Sequence, residues 1–243
     1  VIVIILILIT LLSPVQPRAR PVARRAHCRN NLKQISFALH CYHDFYGSFP
    51  PAYIADENGR PMHSWRVLIL PFMEQQNLYE EYDFGEPWDG PNNCRLAARG
   101  PNEFNCLSNP SNGSVECCFV AVVGPGTIWP GGRAMSLSEC SDSPSSTLLV
   151  VEIANSGINW MEPSDLDVSD TTLEVNPKHG RGISSRHAGS RRPPAPAGAH
   201  VAFVDASVRF LPESTRPEQL RAMLTRSGGE SIDLDDATSQ GAN

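Results

Sequence analysis

Residues 28–50 read CRNNLKQISFALHCYHDFYGSFP, and this stretch indicates how the chain begins to fold. Its apolar residues recur at roughly helical spacing, which predicts an amphipathic helix. The apolar side contains Leu32, Ile35, Phe37, Ala38, Leu39 and Tyr42, and the polar side contains Asn30, Asn31, Lys33, Gln34 and His40. We expect the helix to end near Gly47, because glycine tolerates the left-handed cap and the prolines that follow cannot continue a helix.

The segment before this helix has the composition of a membrane stem. Residues 1–12 are almost entirely Val, Ile and Leu, and an Arg- and Pro-containing segment follows them. A membrane-spanning helix needs about 20 apolar residues, so we expect residues 1–12 to be the end of a longer apolar segment. A short buried helix and a signal-peptide core are the alternatives. The arginines suit a membrane surface, and residues 1–26 are predicted to form the membrane or stem segment.

Length and composition predict one anchored domain. The chain has 243 residues, of which 41% are hydrophobic and 19% are charged, so a substantial core can form outside the stem. We expect residues 27–228 to form this outer domain and residues 229–243 to form a disordered tail. The net charge is −6 and the basic residues form no continuous patch, which argues against nucleic acid as a partner.

The sequence after the first helix predicts short strands joined by long loops, and therefore an α+β fold with an antiparallel sheet. β-branched residues bounded by Gly, Pro and Ser predict strands within residues 115–123 and 147–153, and a hairpin of residues 201–204 and 207–211. Asp205 is expected to accept backbone hydrogen bonds in the hairpin turn. Ala206 stands where such a turn prefers glycine, so we expect either a different turn or a strain cost of about 1 kcal/mol.

Further helices are predicted on either side of these strands. Residues 65–72 are apolar and favour a short helix or strand that leads into a helix over MEQQNLYEEY, residues 73–82. This second helix is expected to pack beside the first. A short C-terminal helix is predicted to open at Ser214 or Thr215, to have Pro217 in its first turn and to be completed by residues 220–224.

Seven cysteines are many for a cytosolic protein and few for a disulfide scaffold. Their spacing matches no common zinc pattern, so no metal site is predicted from them. We expect one or two disulfides in an oxidising compartment, with Cys94 and Cys106 as the candidate pair. The alternative is that the cysteines are buried thiols.

Two groups of residues are candidates for chemistry. His40, His43, His63, His179, His187 and His200 are potential metal ligands, but no two of them form a helical ligand pair with a carboxylate partner. For His40 and His43, a solvated helix face is favoured. The run WMEPSDLDVSD, residues 160–170, has the carboxylate density of a calcium site but lacks the spacing of a calcium-binding loop. Capping and turn roles are the alternative for these acids.

We predict no catalytic residues, because no nucleophile motif, phosphate loop or dinucleotide fingerprint occurs in the sequence. Trp129 and Trp160 are expected to be exposed and available to stack on a sugar or a partner chain. With the acidic run they define a candidate binding surface, which consists of Trp129, Trp160, Glu162, Asp165 and Asp167. We expect no cofactor and no metal ion, with calcium as the one alternative.

Five ordered stretches of the sequence resemble the planctomycete family that carries a domain of unknown function, DUF1559. They are HCRNNLKQISFALHCYHDFYGSFPPAYI (27–54), WRVLILPFMEQQNLYEEYDF (65–84), NPSNGSVECCFVAVVGPGTIWP (109–130), LLVVEIANSGINWMEPSDLD (148–167) and AHVAFVDASVRFL (199–211). Members typically begin with a type IV prepilin-like leader and helix. The resemblance implies an N-terminal pilin-like helix leading into the sheet domain. Pro14, Pro17 and Pro21 depart from the family pattern and argue against an uninterrupted stem helix.

Three classes of function follow from these features. The first is a non-enzymatic envelope protein resembling type IV pilins and type II secretion pseudopilins. It would be anchored in the membrane, have its outer domain in the periplasm or at the cell surface, and assemble with itself or with other pilin-like subunits. The second is a membrane-anchored surface module that binds a glycan, peptide or small solute. The third is a hydrolase that uses Asp165, Asp167 or His187, which ranks last because the sequence assembles no acid, base and nucleophile.

Overall fold

The computed structural model describes residues 19–106, 115–187, 190–191, 194–195 and 197–230. Helix α1, Ala19–Tyr46, opens the described chain. It ends as predicted at Gly47, whose φ is +80° and whose N–H donates to the carbonyl of His43 at 2.7 Å. Pro21 is the third residue of α1, where a helix leaves the backbone N–H without an internal acceptor, so proline is tolerated there.

Several sequence predictions fall at the edges of the described residues. The apolar run 1–12, Pro14 and Pro17 lie outside them, as does most of the predicted tail, at residues 231–243. The predicted boundary between residues 26 and 27 falls inside α1, which is continuous across it. Within the described part of the chain, no helix combines the length and the apolar character that crossing a bilayer requires.

Helix α1 buries one face, as the amphipathic pattern predicts. Leu32, Ile35 and Leu39 are fully buried. Two assignments were wrong. Phe37 is 66% exposed and lies on the outer face, whereas Asn31 is buried because its side-chain amide donates to the carbonyls of Asn102 and Asn105 at 3.3 and 3.0 Å. Asn31 can therefore occupy the inner face at no desolvation penalty for its amide N–H groups.

The main sheet has four antiparallel strands and supports α1. In spatial order they are β10, Val208–Pro212, then β9, Gly198–Phe203, then β5, Leu148–Glu152, and at the far edge β3, Phe119–Val120. Helix α1 contacts β9, β10 and β5. The predicted α+β class is therefore confirmed, with the core between α1 and this sheet.

Smaller elements surround the main sheet. They are the antiparallel pair β1, Tyr53–Ala55, and β2, Pro61–Ser64; the parallel pair β4, Val122–Val123, and β6, Leu166–Asp167; and the antiparallel pair β7, Ser190–Arg191, and β8, Pro194–Ala195. Short helices are α2, Trp65–Leu68, α3, Gln76–Glu81, and α4, Pro217–Leu224, with 3-10 turns at Leu70–Met73, Asn93–Arg99, Asn102–Phe104 and Leu137–Glu139.

The helices after α1 depart from the predictions in two details. The 3-10 turn Leu70–Met73, rather than α3, packs beside α1. Helix α4 forms where a C-terminal helix was predicted, but it is capped by Arg216 rather than by Ser214 or Thr215. Pro217 takes the first helical position, which fixes the start of α4.

Strands β9 and β10 form the predicted hairpin around Asp205 and Ala206. The Ala206 N–H donates to the carbonyl of Phe203 at 3.0 Å, and the Phe203 N–H donates to the carbonyl of Ser207 at 2.9 Å. This is a three-residue loop whose last residue, Ala206, has φ +65°. Asp205 accepts a hydrogen bond from the Ser207 N–H at 2.8 Å, so its predicted turn role is confirmed.

In the hairpin sequence, Val201, Phe203, Val208 and Phe210 alternate with smaller or polar residues, which predicts one buried face for each strand, and this prediction is wrong for β9. All six residues of β9 are buried, because it is an inner strand that packs against α1, while the edge strand β10 is half-buried over Val208–Phe210. A strand covered on both faces has no outward side for polar residues.

The Ala206 turn generates a stability prediction. Replacing Ala206 with glycine should raise the free energy of unfolding by about 1 kcal/mol, because the left-handed conformation is unfavourable for a residue that has a Cβ atom. The control is Ala222→Gly inside α4, which should lower the free energy of unfolding by about 1 kcal/mol. Urea unfolding of both variants measures the two changes. A destabilised Ala206→Gly protein would contradict the turn described here.

Candidate functional site

Four buried side chains, those of Cys28, Cys106, Glu152 and His187, converge at one point of the core. Their ligand atoms, one from each residue, lie within 4.8 Å of one another. The two Sγ atoms are 2.9 Å apart, and His187 Nε2 lies 3.2 Å from Cys28 Sγ and 3.3 Å from Cys106 Sγ. The carboxylate Oε1 of Glu152 is 4.0 Å from the same Nε2. We call these four residues the thiol cluster.

The thiol cluster joins segments that are far apart in sequence. Cys28 lies on α1, Cys106 follows the 3-10 turn Asn102–Phe104, Glu152 ends β5, and His187 lies in the loop before β7. Asn31, one turn after Cys28, holds the backbone at Asn105 by its amide hydrogen bond. One turn before Cys28, Arg25 Nη2 donates to the carbonyl of His187 at 3.4 Å. Helix α1 thus positions both Cys106 and His187.

Glu152 and His187 are also held by the loop that contains Ser185. The Ser185 hydroxyl donates to Glu152 Oε1 at 2.7 Å and accepts from the His187 N–H at 3.1 Å. The other carboxylate oxygen, Oε2, accepts a hydrogen bond from the backbone N–H of His200 at 3.0 Å. Both oxygens of a carboxylate that is only 1% exposed therefore have hydrogen-bond donors.

The geometry of the thiol cluster does not fit a nucleophilic relay. In such a relay the thiol faces one imidazole nitrogen and the carboxylate orients the other. Here both sulfurs and the carboxylate face the same nitrogen, Nε2. The pKa of Cys28 is raised by the hydrogen bond with Cys106, by burial and by the negative charge of Glu152. Cys28 is therefore a thiol rather than a thiolate. All four residues are at most 7% exposed.

The thiol cluster was missed from the sequence for a simple reason. Cys28 is 78 residues from Cys106 and 159 residues from His187, so no local spacing signals their meeting. The predicted Cys94–Cys106 disulfide is wrong, because Cys94 is exposed and contacts the carbonyl of Pro91 at 3.5 Å, while Cys106 lies against Cys28. No disulfide occurs among the seven cysteines, all of which lie within the described residues.

The predicted binding surface around Trp129 and Trp160 does not exist. Trp129 is 1% exposed and its indole N–H donates to the carbonyl of Leu149 at 2.6 Å. Trp160 is 2% exposed, and its indole N–H donates to the carbonyl of Ala97 at 3.0 Å. Both residues belong to the core, where a satisfied indole N–H permits full burial.

The three acids of the predicted surface have separate structural roles. Glu162 accepts a hydrogen bond from the Asn159 N–H at 3.1 Å, and Asp167 accepts from the N–H and hydroxyl of Ser169 at 2.8 and 2.6 Å. The Ser169 hydrogen bonds lower the pKa of Asp167. Asp165 is buried against Arg66. The alternative of turn and capping roles is therefore confirmed for Glu162 and Asp167, and nothing in this run converges as calcium ligands do.

Asp165 and Arg66 form a buried ion pair at the start of α2. Arg66 Nη2 donates to Asp165 Oδ1 at 2.5 Å, and the same oxygen accepts from Trp65 Nε1 at 3.2 Å and from the Ala121 N–H at 2.8 Å. Burial alone would lower the pKa of Arg66, but the Asp165 carboxylate outweighs burial and raises it. The pair ties α2 to the sheet region, so Asp165 is a structural residue.

Three of the other candidate histidines, His40, His43 and His63, lie wholly or partly inside the structure. His40 and His43 are half-buried rather than solvated. Their rings pack on Phe49, with centroid distances of 5.4 and 5.0 Å. His43 Nε2 accepts a hydrogen bond from the Leu137 N–H at 3.2 Å. His63 is buried, with Nδ1 2.9 Å from the Tyr82 hydroxyl.

The long helix that packs on an antiparallel sheet defines this protein as an α+β domain. The thiol cluster lies buried inside that domain. Residues 17–127 match the model of a family described as protein of unknown function (DUF1559). This match confirms the resemblance to the DUF1559 family for the stretches 27–54 and 65–84 and for most of 109–130. The stretches 148–167 and 199–211 lie outside it. No curated protein and no solved structure matches the chain.

The contrast between Asp165 and Asp167 generates a prediction. Replacing Asp165 with alanine should cost about 3–5 kcal/mol of stability, because Arg66 would be left as a buried charge without its carboxylate. The matched control, Asp167→Ala, should cost about 1 kcal/mol or less, since it removes only exposed turn hydrogen bonds. Thermal unfolding with and without calcium measures both. Equal losses, or a calcium-dependent melting temperature that either change abolishes, would contradict the structural role of Asp165.

Proposed function

We propose that this protein is a non-enzymatic, membrane-anchored envelope protein that assembles with itself or with other pilin-like subunits through α1. Its outer domain would stand in the periplasm or at the cell surface. The observation that carries this proposal is that α1 belongs both to the folded domain and to the segment that follows the apolar run. One face is buried against the sheet, while the N-terminal end leads back toward the apolar run of residues 1–12.

The outer face of α1 supports a role in assembly. Phe37, Cys41 and Phe45 follow one another at four-residue steps and so share one side of the helix. Phe37 is 66% exposed and Phe45 is 73% exposed, and three of the five large exposed hydrophobic residues within the described chain lie on α1. Exposed apolar side chains that lie together on one helix favour contact with another protein surface.

A groove beside Phe37 extends this face. It has a volume of about 360 Å³ and is lined by aromatic, apolar and charged residues, Lys33, Gln34, Phe37, Phe72, Met73, Glu74 and Glu103. Charges of both signs around an apolar centre suit self-association, because the same surface supplies both partners of an ion pair. A second copy of this chain is therefore the partner we propose for the groove.

The alternative, a surface module for a glycan, peptide or small solute, loses its main support. Its candidate surface depended on the exposure of Trp129 and Trp160, and both are buried. The hydrolase alternative loses Asp165 to the Arg66 ion pair and His187 to the buried thiol cluster.

Membrane anchoring can be tested with charges in the apolar run. Ile5→Arg combined with Leu8→Arg should release the protein from the membrane fraction, because charges at the centre of an apolar segment cost several kcal/mol in lipid. Ser13→Arg combined with Gln16→Arg adds the same charge outside the run and should leave the protein in the membrane. Fractionation of cells expressing each protein measures this. Full solubility of the unchanged protein without detergent would refute the anchor.

Assembly can be tested on the outer face of α1. Phe37→Ser combined with Phe45→Ser should abolish self-association while leaving the melting temperature nearly unchanged, because both side chains are exposed. Ile54→Ser combined with Val115→Ser removes exposed apolar residues elsewhere and should leave association intact. Chemical cross-linking and light scattering measure the oligomeric state. Unchanged association in the first variant would show that this face is not the contact.

A further inference from the structure

We infer that Cys28, Cys106, Glu152 and His187 form a buried structural zinc site. The four residues supply two sulfurs, one imidazole nitrogen and one carboxylate oxygen, all of which are zinc ligands in proteins. Within the described residues they are the set of such groups that meets at one point. The site uses no residue of the assembly surface on α1. A test of zinc binding is therefore independent of a test of the proposed function.

The distances fit a tetrahedral ion after small adjustments. Zinc bond lengths place two tetrahedral sulfurs about 3.8 Å apart and a sulfur and a nitrogen about 3.5 Å apart. The sulfur–nitrogen distances of 3.2 and 3.3 Å are already close to this value. The sulfurs must separate by about 0.9 Å, and the Glu152 carboxylate must approach His187 Nε2 by about 0.6 Å. Side-chain rotations of this size leave the backbone of all four residues in place.

The electrostatics of the thiol cluster also favour a cation. Two sulfurs and a carboxylate are buried together, and burial of several such groups without a positive charge is costly when they ionise. A zinc ion would reverse this cost, bind both cysteines as thiolates and release their two protons to solvent.

The residues around the cluster resemble the outer shell of a metal site. Ser185 donates to Glu152 Oε1, and the His200 N–H donates to Oε2, so the carboxylate is fixed from two sides. Arg25 donates to the carbonyl of His187 and brings a positive charge to a site whose net charge with zinc is −1. Groups that orient ligands in this way raise metal affinity. Four protein ligands and no solvent access are features of a structural site rather than a catalytic one.

A Cys28–Cys106 disulfide is the competing chemistry. It would use the two sulfurs and leave Glu152 and His187 facing them without a bonding role. The zinc site explains the convergence of all four residues and the hydrogen bonds on Glu152. The two states are mutually exclusive, since a disulfide removes both thiolates.

The test uses the whole chain, purified without chelator or reductant. We expect one zinc ion per chain by elemental analysis, and a thiolate-to-cobalt charge-transfer band when cobalt replaces zinc. Cys106→Ser and His187→Ala should each weaken zinc binding at least tenfold. The matched control is Cys94→Ser, an exposed cysteine away from the cluster, which should bind zinc normally. Ser185→Ala keeps all four ligands and should still weaken binding by about 10–100-fold.

Measurements on the unchanged protein keep the test decisive if a variant does not fold. Removal of zinc by a chelator should lower the melting temperature, and added zinc should restore it. A chain that binds no zinc or cobalt, or that contains a Cys28–Cys106 disulfide by mass spectrometry, would overturn the site. Normal zinc content in Cys106→Ser or His187→Ala would overturn it as well.

Discussion

The burial of one face of α1 against the main sheet is the interaction on which the rest of the structure depends. Leu32, Ile35 and Leu39 are fully buried there, and each contributes about 1.5–3 kcal/mol by leaving water. The same packing places Cys28 over the end of β5 and sets Phe37 and Phe45 on the opposite, solvent side. The rotation of α1 about its own axis therefore determines both the position of Cys28 in the thiol cluster and the exposure of Phe37 and Phe45.

Two buried polar centres complete the core in different ways. In the Arg66–Asp165 pair, opposite charges meet and each has further hydrogen-bond partners, so the centre is complete with protein groups alone. In the thiol cluster, the groups that converge on His187 Nε2 are two thiols and a carboxylate, and Arg25 donates to the His187 carbonyl. Two buried centres of similar size thus differ in how their charge is balanced, and only the second has the composition of a metal site.

Local patterns predicted the elements of this fold better than its sites. The end of α1 at Gly47, the hairpin around Asp205 and the strand within residues 147–153 were readable because capping, turn chemistry and β-branched runs act over a few residues. Trp129 was misplaced because its buried partner, the Leu149 carbonyl, is supplied by the tertiary fold.

The thiol cluster was beyond prediction for the same reason. Cys28, Cys106 and His187 meet across long sequence separations, and spacing rules for metal ligands describe only neighbouring ligand pairs. The buried face of α1 was predicted correctly for Leu32, Ile35 and Leu39 and wrongly for Asn31 and Phe37. Helical periodicity gives an average direction, whereas individual exceptions depend on partners such as the carbonyls of Asn102 and Asn105.

The sequence separation between α1 and β9 has a consequence for biosynthesis. Helix α1 leaves the ribosome about 150 residues before Gly198–Phe203, the strand that packs on it. At ordinary translation rates of 5–20 residues per second, the part of α1 that β9 covers stays exposed on the nascent chain for roughly 10–30 s. A chaperone that binds the helix during this interval would protect it from aggregation. A chain whose synthesis stops before β9 would keep this part of α1 exposed and would be degraded.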